Sequence, residues 1–261
     1  MARYKLTLAY DGADFFGSQK QANKRTVQGE LENALTNIGW TGRSVLVSGR
    51  TDTGVHATGQ VASADIDWQH SDDELLRALN SLLPNDVSVQ TVQVADAKFH
   101  PRFDAVSREY RYKLFCQPLR NPLRERFLWR VWPAVNGDVL AKAAKQFLGT
   151  HDFSAFGSPT TPKGTTARTV TKAEWTQLER DEWQFDIQAD AFLYRMVRRL
   201  VFVQVAVAQG KLPVESLARS LADPVPAYPE PSRAAGRRRE IPSGLAPAQG
   251  LALVEVIYPN P

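Results

Sequence analysis

Residues 48–57, which read SGRTDTGVHA, hold side chains that could do chemistry together. Asp52 follows Arg50 by two positions, and residues two apart share a face wherever the chain is extended. The Arg50 guanidinium is therefore expected beside the Asp52 carboxylate, where it keeps that carboxylate ionised even in dry surroundings. An ionised carboxylate in a dry pocket is a candidate nucleophile. Gly54 permits either the close approach of a ligand or an unusual backbone angle.

Asp52 has two other interpretations. Asp-Thr-Gly is the signature of aspartic proteases, in which two aspartates share one proton. The tripeptide occurs once here, and proteases with one copy per chain are symmetric dimers of far shorter chains. A nearby guanidinium also favours two ionised groups over one shared proton, so a protease is disfavoured. The second alternative is that Asp52 is only a turn residue between two strands.

The composition is that of a globular protein of the reducing cytosol. The chain has 261 residues, of which 43% are hydrophobic and 23% charged, enough for an ample core. Cys116 is the single cysteine, which excludes an internal disulfide and offers no paired thiolates for a metal. The histidines are scattered rather than clustered. No signal-peptide pattern or membrane-spanning run occurs, so a cytoplasmic location away from membranes is predicted.

Basic residues occur in clusters with aromatic neighbours. The formal net charge of +4 is by itself a weak indication of a polyanionic partner. Cations that contact phosphates beside rings that stack on unpaired bases are typical of RNA-binding surfaces, and solvated basic faces are the alternative. The clusters are Lys20/Lys24/Arg25 near Phe15 and Phe16, Arg102/Arg108/Arg111/Lys113 near Phe103, Tyr110 and Tyr112, Arg120/Arg124/Arg126/Arg130 near Trp129 and Trp132, Arg195/Arg198/Arg199 near Tyr194, and residues 237–239.

The predicted elements form two β-α-β-β-α-β repeats, the ferredoxin-like arrangement. Strands are predicted over 3–10, 44–47, 60–66 and 87–94, with helices after Thr26 and after the capping box 71–74. The second half has strands over 109–116, 167–178, 182–189 and 251–257, a helix that Asp138 caps and Gly149 ends, and a helix over 192–208. We therefore predict an α+β fold with two ferredoxin-like halves, 1–105 and 106–261, whose sheets are mostly antiparallel. The proline- and arginine-rich stretch 223–250 predicts a long loop, either disordered or substrate-binding.

Further motifs follow one another along nearly the whole chain. They are YDG at 10–12, FG at 16–17, QKQ at 19–21, TVQ at 26–28, FHPRF at 99–103, REYRY at 108–112, HDFSAF at 151–156, RTV at 168–170, AFL at 191–193, MVR at 196–198 and GL at 250–251. Together with residues 48–57, this ordered set resembles the tRNA pseudouridine synthase A family, which acts on the anticodon arm. The resemblance implies two ferredoxin-like halves meeting over a central catalytic cleft, in agreement with the repeat predicted above.

The resemblance implies three catalytic residues. Asp52 matches the nucleophile, and Arg198 matches the arginine that pairs with it from the opposite half. Tyr110 matches a tyrosine that stacks on the target uracil and is a candidate base for the C5 proton. A free phenol has a pKa near 10, so the base role requires a strong shift of the pKa, whereas stacking requires none.

Four further residues are expected to contact the substrate. Arg50 matches the surface that flips and positions the RNA, and Leu251 matches a residue that lines the pocket. Gly54 and His56 belong to the motif around Asp52 and are expected at the substrate. Three positions depart from the family: Ser18 stands where tryptophan is usual, Thr53 where alanine is common, and Phe202 where glycine is frequent.

The implied reaction isomerises uridine to pseudouridine in tRNA, at positions 38 to 40, and is carried out by a homodimer. The reaction has no redox step, so it requires no cofactor, and no metal site is predicted. Attack of Asp52 on C1′, attack on C6 and a glycal route in which the carboxylate removes a sugar proton all stay open. The alternative function is a catalytically inactive RNA-binding or RNA-folding module on the same scaffold. A nucleoside hydrolase is a weaker alternative.

Overall fold

The computed structural model describes residues 1–161, 164–224 and 240–259. The strands and helices in chain order are β1 (Ala2–Tyr10), α1 (Val27–Asn37), β2 (Leu46–Val47), β3 (His56–Ile66), α2 (Asp72–Leu82), β4 (Val87–Val94), β5 (Ser107–Cys116), β6 (Trp129–Val131), α3 (Gly137–Lys145), β7 (Gly149–Asp152), β8 (Ala167–Gln177), β9 (Glu182–Ala189), α4 (Met196–Ala208), α5 (Glu215–Ala222) and β10 (Leu251–Ile257). Most of the predicted loop 223–250, including the triple arginine, lies outside the described residues.

The chain divides into two units, each with helices and a mostly antiparallel sheet, which confirms the predicted α+β class. Unit 1 comprises Met1–Arg108 and Ala252–Pro261, and unit 2 comprises Glu109–Leu251. Residues 106–261 were predicted to form the second half, whereas in the structure all of the last strand except Leu251 groups with unit 1. A strand's own residues do not reveal which distant strand it pairs with, so this grouping required the structure.

Unit 1 has the predicted β-α-β-β-α-β order. Strand β1 pairs antiparallel with both β3 and β4, and β2 pairs antiparallel with β3. The first strand therefore lies between the third and the fourth, as in a ferredoxin-like sheet. Strand β10 adds a parallel pairing to β3, with Ala252 opposite His56. Both ends of the chain thus contribute strands to the sheet that carries the SGRTDTGVHA motif.

Side-chain caps define where the helices of unit 1 begin. The Oγ1 atom of Thr26 accepts a hydrogen bond from the Gly29 amide at 3.2 Å and starts α1. The predicted capping box starts α2: the Ser71 hydroxyl accepts from the Glu74 amide at 3.3 Å, and the Glu74 carboxylate accepts from the Ser71 amide at 2.9 Å. These bonds satisfy amide groups that have no partner within a helix.

Unit 2 has strand order β5-β9-β8-β7, with β6 parallel to β5. The predicted hairpin 167–178/182–189 is confirmed as the antiparallel pair β8 and β9. Of the three predicted strands in this unit, the first, β5, lies next to the third, β9, which in turn lies next to the second, β8, as in a ferredoxin-like sheet. The short strands β6 and β7 were not predicted, because segments of three or four residues carry too little periodicity to detect. The eight-residue helix α5 was also not predicted, and it has no side-chain cap at its start. Among the described residues, none of the helices combines the length and apolar character that crossing a membrane requires.

The starts of both predicted helices of unit 2 were wrong. The α3 cap is Asn136, whose side chain accepts from the Val139 amide at 3.1 Å, and Asp138 lies in the first turn. Asparagine and aspartate are equally good caps, so composition alone could not separate them. The predicted helix 192–208 begins at Met196, because Arg195 adopts a left-handed conformation with φ 62°. A left-handed residue other than glycine is rare, so no sequence signal indicated this boundary.

The capping box gives a test of unit 1. Ser71→Ala removes the acceptor of the Glu74 amide, and we expect the free energy of unfolding to fall by about 1 kcal/mol. Ser81→Ala is the matched control, because its hydroxyl only donates to the Ala78 carbonyl within the same helix at 2.8 Å and alanine has the higher helix propensity. Urea unfolding measures both variants. Equal stability of the two variants would contradict the role of the cap.

Candidate active site

Asp52 occupies a turn directly before β3. Its carbonyl accepts a hydrogen bond from the Val55 amide at 3.1 Å, and Gly54 has φ 78°, which favours glycine at the third position of such a turn. Asp52 is half-buried, whereas Thr53 is exposed. The structure therefore confirms that Asp52 lies in a turn before β3, and the nucleophile interpretation, which is compatible with this turn, stays a prediction.

Thr51, which precedes Asp52, is fixed by three hydrogen bonds from other segments. The Ser18 hydroxyl accepts from the Thr51 amide at 2.8 Å, and the Ser18 amide donates to the Thr51 carbonyl at 3.1 Å. A 2.8 Å hydrogen bond joins the Thr51 hydroxyl to the Tyr10 hydroxyl. Burial raises the pKa of Tyr10 to about 12, so this phenol stays neutral at physiological pH. None of these bonds was anticipated, because they join segments far apart in the sequence.

The turn after β1 packs directly against the Asp52 turn. A Cβ placed on Gly12 would lie 1.9 Å from the Val55 carbonyl oxygen, so only glycine allows this approach. The Gly12 amide donates to Nδ1 of His56 at 3.0 Å, and the same nitrogen lies 3.1 Å from the Asp11 carboxylate. His56 is 6% exposed. The structure thus gives His56 a role in holding the two turns together, and its predicted contact with the substrate stays a prediction.

Arg50 is exposed on the loop between β2 and β3. The neighbouring Gly49 carbonyl accepts from the Gln60 side chain at 3.0 Å, and the Ser48 amide donates to the Val61 carbonyl at 2.8 Å. These two contacts with β3 fix the loop just before Arg50. The bonds from Tyr10 and Ser18 fix it just after Arg50, at Thr51. An exposed guanidinium on a fixed loop suits the predicted contact with RNA.

Unit 2 holds Tyr110 on β5. Its ring packs edge-on against Phe192, with centroids 5.0 Å apart, and it is half-buried. Tyr112, two residues along the strand and on the same face, is fully buried and donates to the Pro247 carbonyl at 2.8 Å. Burial raises the pKa of Tyr112 well above its ordinary value, although the Arg198 charge opposes that shift. The positive charge of Arg198 thus acts on the side of β5 that carries both tyrosines.

Arg198 lies in the first turn of α4 and is clamped to the segment before β10. Its Nε donates to the Ala246 carbonyl at 2.8 Å, and the Ala246 amide donates to the Arg198 carbonyl at 3.1 Å. Arg199 adds a bond from Nη1 to the Gly244 carbonyl at 3.0 Å. Leu251 follows this segment and is 6% exposed. The clamp orients the Arg198 guanidinium through its Nε.

The predicted site residues are shared between the units. Unit 1 carries Arg50, Asp52, Gly54 and His56, whereas unit 2 carries Tyr110, Arg198 and Leu251. The pairing of Asp52 with Arg198 stays a prediction. The described residues include no group of three or more His, Cys, Asp or Glu side chains that could hold a metal ion.

Several cations of the predicted RNA-binding clusters are paired with carboxylates. Arg25 bonds Asp86 at 2.7 Å and Glu30 at 2.8 Å, and comparable pairs hold Lys20, Arg111, Arg120, Arg124 and Arg130. Lys24 differs, because its ammonium lies 4.3 Å from the centre of the Phe16 ring, and both side chains are exposed. The clusters therefore combine structural ion pairs with a cation–aromatic pair that faces solvent.

Comparison with known proteins gives matches over the whole chain. A family-wide sequence profile described as tRNA pseudouridine synthase matches residues 7–104 and 143–259. The chain is 42% identical over 271 residues to a tRNA pseudouridine synthase A of Solidesulfovibrio magneticus, covering 100% of this chain and 93% of that protein. It is 37% identical over 265 residues to the protein of the same name from Limosilactobacillus fermentum, covering 100% and 98%. For the one from Geobacillus sp. the identity is 37% over 260 residues, covering 99% of each chain.

The packing at Gly12 predicts a sharp difference between two glycines. Gly12→Ala places a methyl group against the Val55 carbonyl, and we expect a loss of about 1–3 kcal/mol in the free energy of unfolding, as for other overpacked sites. Gly49→Ala is the control, because no atom lies within 4 Å of its added Cβ, and we expect a change below about 0.5 kcal/mol. Urea unfolding of both variants checks the prediction. A Gly12→Ala protein as stable as the control would contradict it.

Proposed function

Because the chain belongs to the tRNA pseudouridine synthase family, a family of isomerases, we propose that it converts uridine to pseudouridine at positions 38 to 40 of the tRNA anticodon stem-loop. The observation that carries the proposal is the rigid turn that presents Asp52. A half-buried carboxylate at a turn anchored by Tyr10, Gly12 and Ser18 has the fixed position that a nucleophile requires.

The reaction rearranges one nucleotide and adds or removes nothing overall. The N1–C1′ bond of uridine breaks, the freed uracil turns, a C5–C1′ bond forms, and the hydrogen on C5 is exchanged for one on N1. Asp52 attacks C1′, attacks C6, or removes a sugar proton to give a glycal. In each route the carboxylate must be ionised and the uridine must leave its stack, which costs a few kcal/mol.

Unit 2 supplies the other proposed groups. The T-shaped contact with Phe192 fixes the orientation of the Tyr110 ring, and we assign this ring to stacking on the flipped uracil. Arg198 is proposed to pair with Asp52, and its Nε bond to Ala246 supports this role because it fixes the plane of the guanidinium. Leu251 is proposed to line the uracil pocket.

The tRNA backbone must be held while the uridine is out of its stack. Arg50 and the Phe16–Lys24 pair are proposed for this contact, because exposed guanidinium, ammonium and aromatic groups suit phosphates and unpaired bases. The Asp86-paired Arg25 is assigned a structural role instead. The working form is proposed to be a cytoplasmic homodimer, so that one tRNA contacts both subunits.

Asp52→Asn tests the nucleophile. The amide keeps the size of the side chain but has no charge, and we expect the rate of isomerisation to fall about 10³-fold or more, with the Kd for tRNA little changed. The assay measures tritium released from tRNA that carries tritium at C5 of uridine. Thr53→Ala is the control at the next, exposed residue, and we expect it to retain activity within about twofold.

The outcomes separate the candidate functions. An active Asp52→Asn protein would remove Asp52 from the chemistry. Tight tRNA binding by the wild-type protein with no tritium release would indicate an RNA-binding module instead of an enzyme. Release of free uracil would indicate a hydrolase.

Arg198→Lys tests the proposed partner of Asp52. Lysine keeps the charge but has no Nε–H to hold the Ala246 carbonyl and no planar fork, so we expect kcat to fall about 10²-fold while the far-ultraviolet circular dichroism is unchanged. Arg219→Lys is the control, because its guanidinium bonds the exposed Glu240 at 3.0 Å. Near-normal turnover of Arg198→Lys would exclude Arg198 from the site.

A further inference from the structure

We propose that Ser18 is a positioning residue for the Asp52 carboxylate, a role that rests on the proposed function. From the sequence alone, Ser18 is only a position at which an aromatic ring is missing. In the structure it is 2% exposed and forms two hydrogen bonds with the residue that precedes Asp52. It touches no reacting atom, so its effect passes through the backbone.

The two bonds fix both peptide planes around Thr51. The Ser18 hydroxyl accepts from the Thr51 amide at 2.8 Å, which belongs to the plane shared with Arg50. The Ser18 amide donates to the Thr51 carbonyl at 3.1 Å, which belongs to the plane shared with Asp52. A peptide plane includes the α-carbons at both of its ends, so the second bond restrains the α-carbon that carries the reactive carboxylate.

Ser18 is itself held by a helix. Its carbonyl accepts from the Gln28 amide in the first turn of α1 at 2.9 Å, and the Gln28 side chain accepts from the Lys20 amide at 3.0 Å. The segment 18–20 is therefore bonded to the start of α1 on one side and to Thr51 on the other. Through Ser18, the position of Asp52 is tied to a helix rather than to a loop alone.

A hydroxyl is needed at this position for a chemical reason. The Thr51 amide is a donor, and its partner must be an acceptor. The indole of tryptophan, the usual residue in the family that the sequence resembles, is only a donor and could not replace the serine hydroxyl. This chain thus supplies its own anchor for the Asp52 turn. The Tyr10 hydroxyl, 2.8 Å from the Thr51 hydroxyl, holds the side chain of Thr51 but not its backbone.

Ser18→Ala removes the acceptor and leaves the amide donor in place. A displacement of about 1 Å at a reacting group can lower a catalytic rate about 10²-fold. The rotation of one peptide plane displaces the carboxylate by less than this, so we expect kcat to fall about 10-fold. The KM for tRNA should stay within about twofold, since the change acts on the backbone that carries the reactive carboxylate and leaves the exposed side chains of Arg50, Phe16 and Lys24 in place. Tritium release from C5-labelled tRNA, measured over a range of tRNA concentrations, gives both constants.

Ser63→Ala is the matched control. Ser63 lies in β3 opposite Lys5 of β1 and is 1% exposed, so this variant also removes a buried hydroxyl of unit 1 but leaves the Asp52 turn intact. Its kcat should equal that of the wild type. A similar loss of kcat in both variants would overturn the proposal, because general destabilisation would then explain the effect.

Ser18→Cys covers the case in which the alanine variant does not fold. The thiol has nearly the same shape as the hydroxyl and is a weak acceptor, so kcat should lie between those of the wild-type and alanine proteins. A kcat of Ser18→Cys or Ser18→Ala equal to that of the wild type, or a raised KM with normal kcat, would overturn the positioning role. An inactive wild-type protein, or an active Asp52→Asn protein, would instead overturn the function on which it rests.

Discussion

Thr51 is the residue on which the geometry of the Asp52 turn depends. Its amide and carbonyl bond Ser18, and its hydroxyl bonds Tyr10, so two segments far apart in the sequence meet at the residue before Asp52. The neighbouring turn bond and the close approach of Gly12 restrain the residues that follow. A short carboxylate has few torsions of its own, and its placement is therefore set almost wholly by the backbone from which it projects. The proposed chemistry, on a nucleotide that is turned out of its helix, would demand such placement, because the base arrives with its own positional freedom.

In unit 2 the charged group whose position is fixed, the Arg198 guanidinium, lies at the end of a long side chain. Arginine has several rotatable bonds, and fixing its α-carbon would leave the guanidinium free to move. The structure fixes the far end as well, through the bond from Nε of Arg198 to the Ala246 carbonyl. The returning bond from the Ala246 amide closes a ring of two contacts between α4 and the chain before β10. Carboxylate and guanidinium are thus immobilised by different means, each suited to the length of the side chain.

Local signals in the sequence predicted much of this arrangement. The Ser71–Glu74 capping box and the predicted strands β1 and β8 depend on neighbouring residues, and the structure confirms them. The motif around Asp52 indicated where we propose that the chemistry lies. What the sequence could not show is non-local: the pairing of β10 with β3, the left-handed Arg195 that delays α4, and the contacts of Ser18. A serine shows no sequence pattern from which its hydrogen-bond partner could be predicted, because the fold decides which distant amide lies next to its hydroxyl.

The parallel pairing of β10 with β3 has a consequence for synthesis on the ribosome. Thr58 and Val254, which are joined by a hydrogen bond between these strands, are 196 positions apart along the chain. The strand next to the Asp52 turn therefore keeps an unsatisfied edge while all of unit 2 is being translated. Such an edge is a template for wrong pairing between nascent chains. Completion of unit 1 must wait for the emergence of β10, so the carboxylate-bearing half of the protein, although it is made first, is finished last.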